Sequence, residues 1–330
     1  MNAYFVIVLL SFGLFFLMWS LGWILERLSY RELSTARAHG SRAWQVLVGP
    51  GVALHESSHA LGCVFTRTPI VEFKPINVSY EGDQVILGYV KHHKPTSSIK
   101  SAIISLAPVA VSLVLLTFFA LGATYLVPDT PGIGGAGLDL LNDLIFMKDN
   151  PVLLADPMYP VEQIGSFIYV FFYTFAELSV VNPIFWIVAF LAMTIMFSNA
   201  PSDQDISNAS TGIKVIVGFN LVWLVVAYVY PAAGWLLFGL FELLAVMFAL
   251  GIAFAGVGYG FFFMITAMSK LRTPINLLPF IACIVAGGVL FYQGIGTIAF
   301  QTVVSVLVFA ALGIMFLLVK SFRRSSYAQQ

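Results

Sequence analysis

Two histidines four residues apart with a glutamate beside the first, His55-Glu56-Ser57-Ser58-His59, are the strongest chemical signal in this chain. Residues i and i+4 of a helix project from one face a turn apart, so the two imidazoles can converge on one ion while Glu56 reaches a water beside it. Zinc suits such a pair. It lowers the pKa of a water it holds to about 7, and a neighbouring carboxylate can take the proton as the oxygen attacks a carbonyl. The ordinary alternative is a polar helix patch satisfied by neighbouring helices. Two His and a Glu inside an apolar segment are costly to bury without a purpose. The pattern therefore favours one Zn2+ per chain, with His55 and His59 as ligands and Glu56 as the catalytic base.

A catalytic zinc commonly has three protein ligands and one open position, so a third ligand must come from elsewhere. His92 and His93 close a strand-like segment and His39 lies in a polar link, all three in positions that read as solvated. Glu177 and Glu242 are acids inside apolar stretches, where a helix-helix hydrogen bond is the ordinary use. Asp203 and Asp205 follow an apolar span at Pro201-Ser202. The sequence favours Asp203 as the third ligand, with Asp205 as the alternative. Helix-capping acids in a solvated loop are the competing use of this pair.

The elements that must position these groups belong in a lipid bilayer. Of 330 residues 59% are hydrophobic and 10% charged, far from the balance of a soluble domain. Net charge is zero, which gives no argument for a nucleic-acid partner. Cys63 and Cys283 lack disulfide or thiolate-metal spacing and read as small apolar fillers. Apolar runs at 4–25, 44–65, 99–127, 183–197, 211–230, 235–268 and 275–319 predict an all-α polytopic membrane protein of about 7–8 spans. The run 4–25 reads as a retained first helix. The run 163–198 is too long for one ordinary helix and is interrupted at Asn182-Pro183, whereas 235–268 fits one tilted helix or two short ones. A Gly-, Pro- and Asp-rich loop is expected up to about Glu162.

Between Arg67 and Pro95 the pattern turns β-branched and aromatic around Glu81-Gly82-Asp83, which predicts a small hairpin or sheet after the His-Glu-x-x-His helix. Open sheet edges cannot face lipid, so the hairpin must lie at the interface or line a cavity. Three units follow: 1–43, a first transmembrane helix and polar link; 44–210, a metalloprotease core; and 211–330, additional helices of unassigned role. Alternating spans bring His55 and His59 to the membrane face that carries Asp203. Lys270, Arg272, Lys320, Arg323 and Arg324 gather on that face, making it cytoplasmic by the positive-inside rule, while the link with Arg31, Arg37 and Arg42 is expected on the other.

A His-Glu-x-x-His helix, a small sheet, a span, and an Asp after a Pro-containing turn together resemble the site-2 protease family of intramembrane zinc metalloproteases. The likeness covers roughly 44–206. Asn199-Ala200-Pro201-Ser202-Asp203 keeps the Asn, Pro and Asp of that family's second motif, with compressed spacing and Gln204 in place of Gly. The resemblance implies cleavage of a transmembrane protein substrate near the cytoplasmic face, an Asp as third ligand, and a substrate or oxyanion role for Asn199.

A substrate helix must be unwound before it is cut, because its carbonyls are engaged. An edge strand formed by Gln84, Val85, Ile86, Leu87, Gly88, Tyr89 and Val90 could pair with it, although the hairpin could instead simply cover the site. The competing function is a non-proteolytic membrane transporter or structural protein with a bound metal. The C-terminal helices, with Gly251, Gly256, Gly258 and Gly260, could pack a gating partner or a second copy, ordinary packing being the commoner use.

Overall fold

The computed structural model describes residues 3–32, 42–77, 79–81, 84–86, 88–126, 132–181, 184–269, 271, 274–296 and scattered positions between 301 and 319. In order these form α1 (Ala3–Glu32), α2 (Arg42–Thr66), β1 (Ile70–Lys74), β2 (Ser79–Glu81), β3 (Gln84–Ile86) and β4 (Tyr89–His92). Helices α3 (Ser98–Leu126), α4 (Gly132–Phe146), α5 (Pro151–Ala155), α6 (Tyr159–Val181), α7 (Ile184–Ser198), α8 (Asp203–Val229), α9 (Pro231–Ser269) and α10 (Leu278–Tyr292) follow. Among the described residues, five helical segments are long and apolar enough to cross a bilayer: Ala3–Ser29, Ser98–Gly122, Asp203–Val229, Leu237–Thr266 and Ile275–Tyr292. These mark a helical integral membrane protein. The helix carrying His55 and His59 is not among the five.

Helices α1 and α9 form the spine and run parallel. Tyr4 stacks on Phe238 with ring centroids 4.0 Å apart, Ser11 Oγ donates to the Phe241 carbonyl at 3.1 Å, and Tyr259 donates to the Leu21 carbonyl. Around this pair the core fills with aromatics. Phe171 of α6 is fully buried, its ring centroid 5.0 Å from that of Phe254. The undecided stretch 235–268 is thus one helix, α9, of 39 residues.

The expected loop before Glu162 is largely helical. Ile133, Leu140, Leu144 and Met147 are all buried, at spacings of seven, four and three that place them on one helical face. The glycines of this segment masked that pattern. Its entry residue, Gly132, has φ of 62°, a left-handed conformation that glycine adopts without strain.

Two contacts pin the site helices. A Cβ on Gly51 of α2 would lie 2.7 Å from the Thr194 carbonyl and the Phe197 Cβ, so α2 and α7 touch backbone to backbone one turn before His55. Likewise a Cβ on Gly212 of α8 would lie 2.3 Å from the Ala102 Cβ. Small residues allow this approach where lipid supplies no hydrophobic drive.

The expected placement of the first polar link is corrected at its root. Arg27, near the end of α1, pairs with Asp203 at 3.0 Å, so α1 ends on the same side as the start of α8. Lys270, Arg272, Lys320, Arg323 and Arg324 lie outside the described residues.

Candidate metal centre

Both histidines of α2 are oriented through Nδ1. His55 Nδ1 donates to the Ser198 carbonyl at 2.7 Å, and His59 Nδ1 donates to the Ile104 carbonyl at 2.8 Å. A carbonyl oxygen only accepts, so each Nδ1 carries a proton and each Nε2 is the nitrogen turned toward the other groups. Those two Nε2 atoms face one another at 2.9 Å. Asp205 completes the group, with Oδ1 3.3 Å from His59 Nε2 and Oδ2 3.5 Å from His55 Nε2. The three side chains converge in a site where His59 and Asp205 are buried, and together they could hold a metal ion.

The group fits zinc. One ligand atom from each residue lies within 4.8 Å of the others, and the two Nε2 atoms, 2.9 Å apart, approach the edge of about 3.3 Å for a tetrahedron with zinc-ligand bonds of 2.0–2.1 Å. Two imidazoles and a carboxylate leave a fourth position, as a catalytic zinc requires. The outer partners, a carbonyl on each Nδ1, are those that fix the ring orientation of a metal-bound histidine.

The acid that the structure brings to the two histidines is Asp205, the alternative, and not the favoured Asp203. The two acids do not end the preceding span but open α8, and residues two apart on a helix point away from each other. Asp203 faces outward with 81% of its side chain exposed and binds Arg27. Asp205 is buried and held by a capping box, its Oδ2 accepting from the Ser202 backbone N–H at 3.0 Å and from Ser202 Oγ at 2.6 Å. The Ser202 Oγ in turn accepts from the Asp205 N–H. That spacing, Ser-x-x-Asp at a helix start, was the signal available in the sequence.

Glu56 is half-buried beside His55, and no described residue hydrogen bonds to its carboxylate. Asn199, to which the resemblance gives a substrate or oxyanion role, is buried at the end of α7. Its amide nitrogen donates to the Met18 carbonyl at 3.2 Å, and its backbone packs against Gly22, so it ties α7 to α1. His92 ends β4 and His93 follows it, with the His92 ring against the His93 carbonyl, and neither belongs to the converging group. His39 lies outside the described residues, as does the side chain of Glu177 on α6. Glu242 pairs with Lys148 at 2.6 Å, and Cys63 and Cys283 are buried thiols.

The expected single strand from Gln84 to Val90 is divided. Gln84–Ile86 pairs with Ser79–Glu81, Tyr89–His92 pairs with Ile70–Lys74, and Leu87 lies outside the described residues. The registers Tyr89↔Lys74 and Ile86↔Ser79 make this one antiparallel hairpin with an interruption. At the break a Cβ on Gly88 would sit 2.5 Å from the Pro75 carbonyl oxygen, so the crossing backbones need glycine there. The hairpin root is tied to α2 through Thr68 N–H to the Cys63 carbonyl at 2.8 Å, and His93 N–H closes it on the Pro69 carbonyl at 3.0 Å. Glu72 braces the β1–β4 pair: Lys74, 2.8 Å away, and the Tyr89 hydroxyl, donating at 2.7 Å, hold its carboxyl down at about 2.

Comparison of the chain with family models, with curated proteins and with solved structures gave no match.

Proposed function

We propose that this protein is a zinc-dependent intramembrane endopeptidase that hydrolyses peptide bonds of transmembrane protein substrates. The single observation that carries the reading is the convergence of His55 Nε2, His59 Nε2 and Asp205, each histidine fixed by a carbonyl on its other nitrogen, on the helix that also carries Glu56. Zinc held by these three residues would supply Lewis-acid activation of a water. Glu56 would be the general base toward a water attacking the peptide carbonyl, and would return that proton to the amine as the C–N bond breaks. The Nδ1–H of His55 on the Ser198 carbonyl and that of His59 on the Ile104 carbonyl would keep both Nε2 atoms turned to the ion.

The hairpin supplies what a helical substrate lacks. Strands β1 and β4 pair only with each other among the described residues, which leaves an outer edge on each, and the hairpin root sits on the α2 segment just beyond His59. An unwound substrate paired along β4 would present an extended backbone to the site. Cleavage is proposed at the cytoplasmic face, the face of Arg27, Arg67 and the hairpin lysines.

The test uses the purified full-length protein and a membrane-spanning reporter helix. Wild type is expected to hold one zinc per chain and His55→Ala to hold none. Glu56→Gln should keep the metal while cleavage falls by about 10²–10⁴, the usual contribution of a general base. Stoichiometric zinc in His55→Ala, or full cleavage by Glu56→Gln, would overturn the proposal. A transport activity that survives Glu56→Gln would favour the non-hydrolytic alternative.

A further inference from the structure

The carbonyl that orients His59 belongs to Ile104, in the middle of α3, where a carbonyl is normally consumed by the N–H four residues on. That residue is Pro108, which has no N–H. The carbonyl that orients His55 belongs to Ser198, in the last turn of α7. As the last residue of that helix it has no internal donor for its carbonyl. Both histidines are therefore steered by carbonyls without a regular helical partner, one because of a proline and one because its helix ends. A proline inside a spanning helix is otherwise only a cost, since it forfeits a backbone hydrogen bond and its ring crowds the carbonyl at i−4.

From this geometry we infer that Pro108 is a positioning residue for the metal centre: by leaving Ile104 without its helical donor, it turns that carbonyl outward to hold the Nδ1–H of His59 and so aims Nε2 at the ion. The inference rests on the metal reading above but concerns a residue that touches neither metal nor substrate. It carries an unusual signature, because the effects on helix stability and on metal affinity have opposite signs. Pro108→Ala restores a backbone N–H to α3, which favours the helix, and at the same time makes that N–H compete with His59 for the Ile104 carbonyl.

The experiment measures Zn2+ affinity of the full-length protein in detergent by competition with a chelator, together with thermal stability of the zinc-free form. Wild type and Pro108→Ala are compared with a third protein carrying lactic acid at position 108, the ester counterpart of alanine, which has neither the ring nor an N–H. Pro108→Ala is expected to bind zinc about 10–100-fold more weakly, the usual effect of losing an outer-shell partner, with zinc-free stability equal to or above wild type. The ester should recover most of the affinity. Zinc binding by Pro108→Ala within twofold of wild type would overturn the inference while leaving the metal site intact, as would an ester protein as weak as the alanine variant. Absence of zinc from the wild type would overturn the metal reading itself.

Discussion

At the Glu242 level of α9 a buried carboxylate meets its own cation. Lys148 Nζ, from the turn after α4, lies 2.6 Å from Glu242 Oε2, and Glu242 is 1% exposed. At the junction of α2, α7 and α8 the buried carboxylate of Asp205 meets two histidines whose protons are already committed to carbonyls. The two levels are marked on α1 by Tyr4, stacked on Phe238, and by Gly22, packed on Asn199, roughly 25 Å apart at 1.5 Å per residue. One anion is neutralised from within the chain. The other is placed between two imidazoles, an arrangement that could hold a metal ion. A buried acid in a membrane protein is therefore uninformative by itself, and what distinguishes a lock from a binding site is which partners surround it.

The comparison can be broken most directly at its metal end. Asp205→Asn removes the charge from the cage and is expected to weaken zinc binding by more than the 10–100-fold typical of an outer-shell change, read by metal analysis of purified protein. At the opposite level Lys148→Met leaves Glu242 buried without its partner. This should cost about 3 kcal/mol, since removal of one partner strands a buried charge, and it would be read as a lower unfolding midpoint in detergent. Zinc content should be unchanged. Adding Glu242→Gln to Lys148→Met should return most of that stability. Loss of zinc in Lys148→Met would mean that the two levels are not independent.

Much of this was legible in the residues. His55, Glu56 and His59 stand where i and i+4 spacing puts them, and the hairpin follows from its β-branched runs around a glycine-containing turn. Asp205 over Asp203 was not read, because the choice depends on where α8 begins. An apolar run locates a span, whereas the first turn of a helix is set by its cap, here Ser202. The helices between 132 and 155 were hidden by glycines and acids that resemble a loop. The carbonyls of Ile104 and Ser198 carry no side-chain signature, and only Pro108 points to one of them. Asn199 went to α1 because α1 ends beside α8, a contact that no local pattern announces.

The smallest effect is expected at Asp203, two positions before the ligand. Its partner Arg27 reaches both carboxylate oxygens, at 3.0 and 3.2 Å, yet the two side chains are 81% and 48% exposed. An exposed ion pair of this kind contributes about 1 kcal/mol or less, because water screens the charges and both side chains lose freedom. Asp203→Asn should therefore leave zinc content intact and shift the unfolding midpoint less than Lys148→Met does. Read beside Asp205→Asn, it asks whether position on the first turn of α8 matters more than charge. If Asp203→Asn also emptied the site, the Arg27 pair would have to be holding α8 in place, and the cage would depend on the end of α1 as much as on the cap at Ser202.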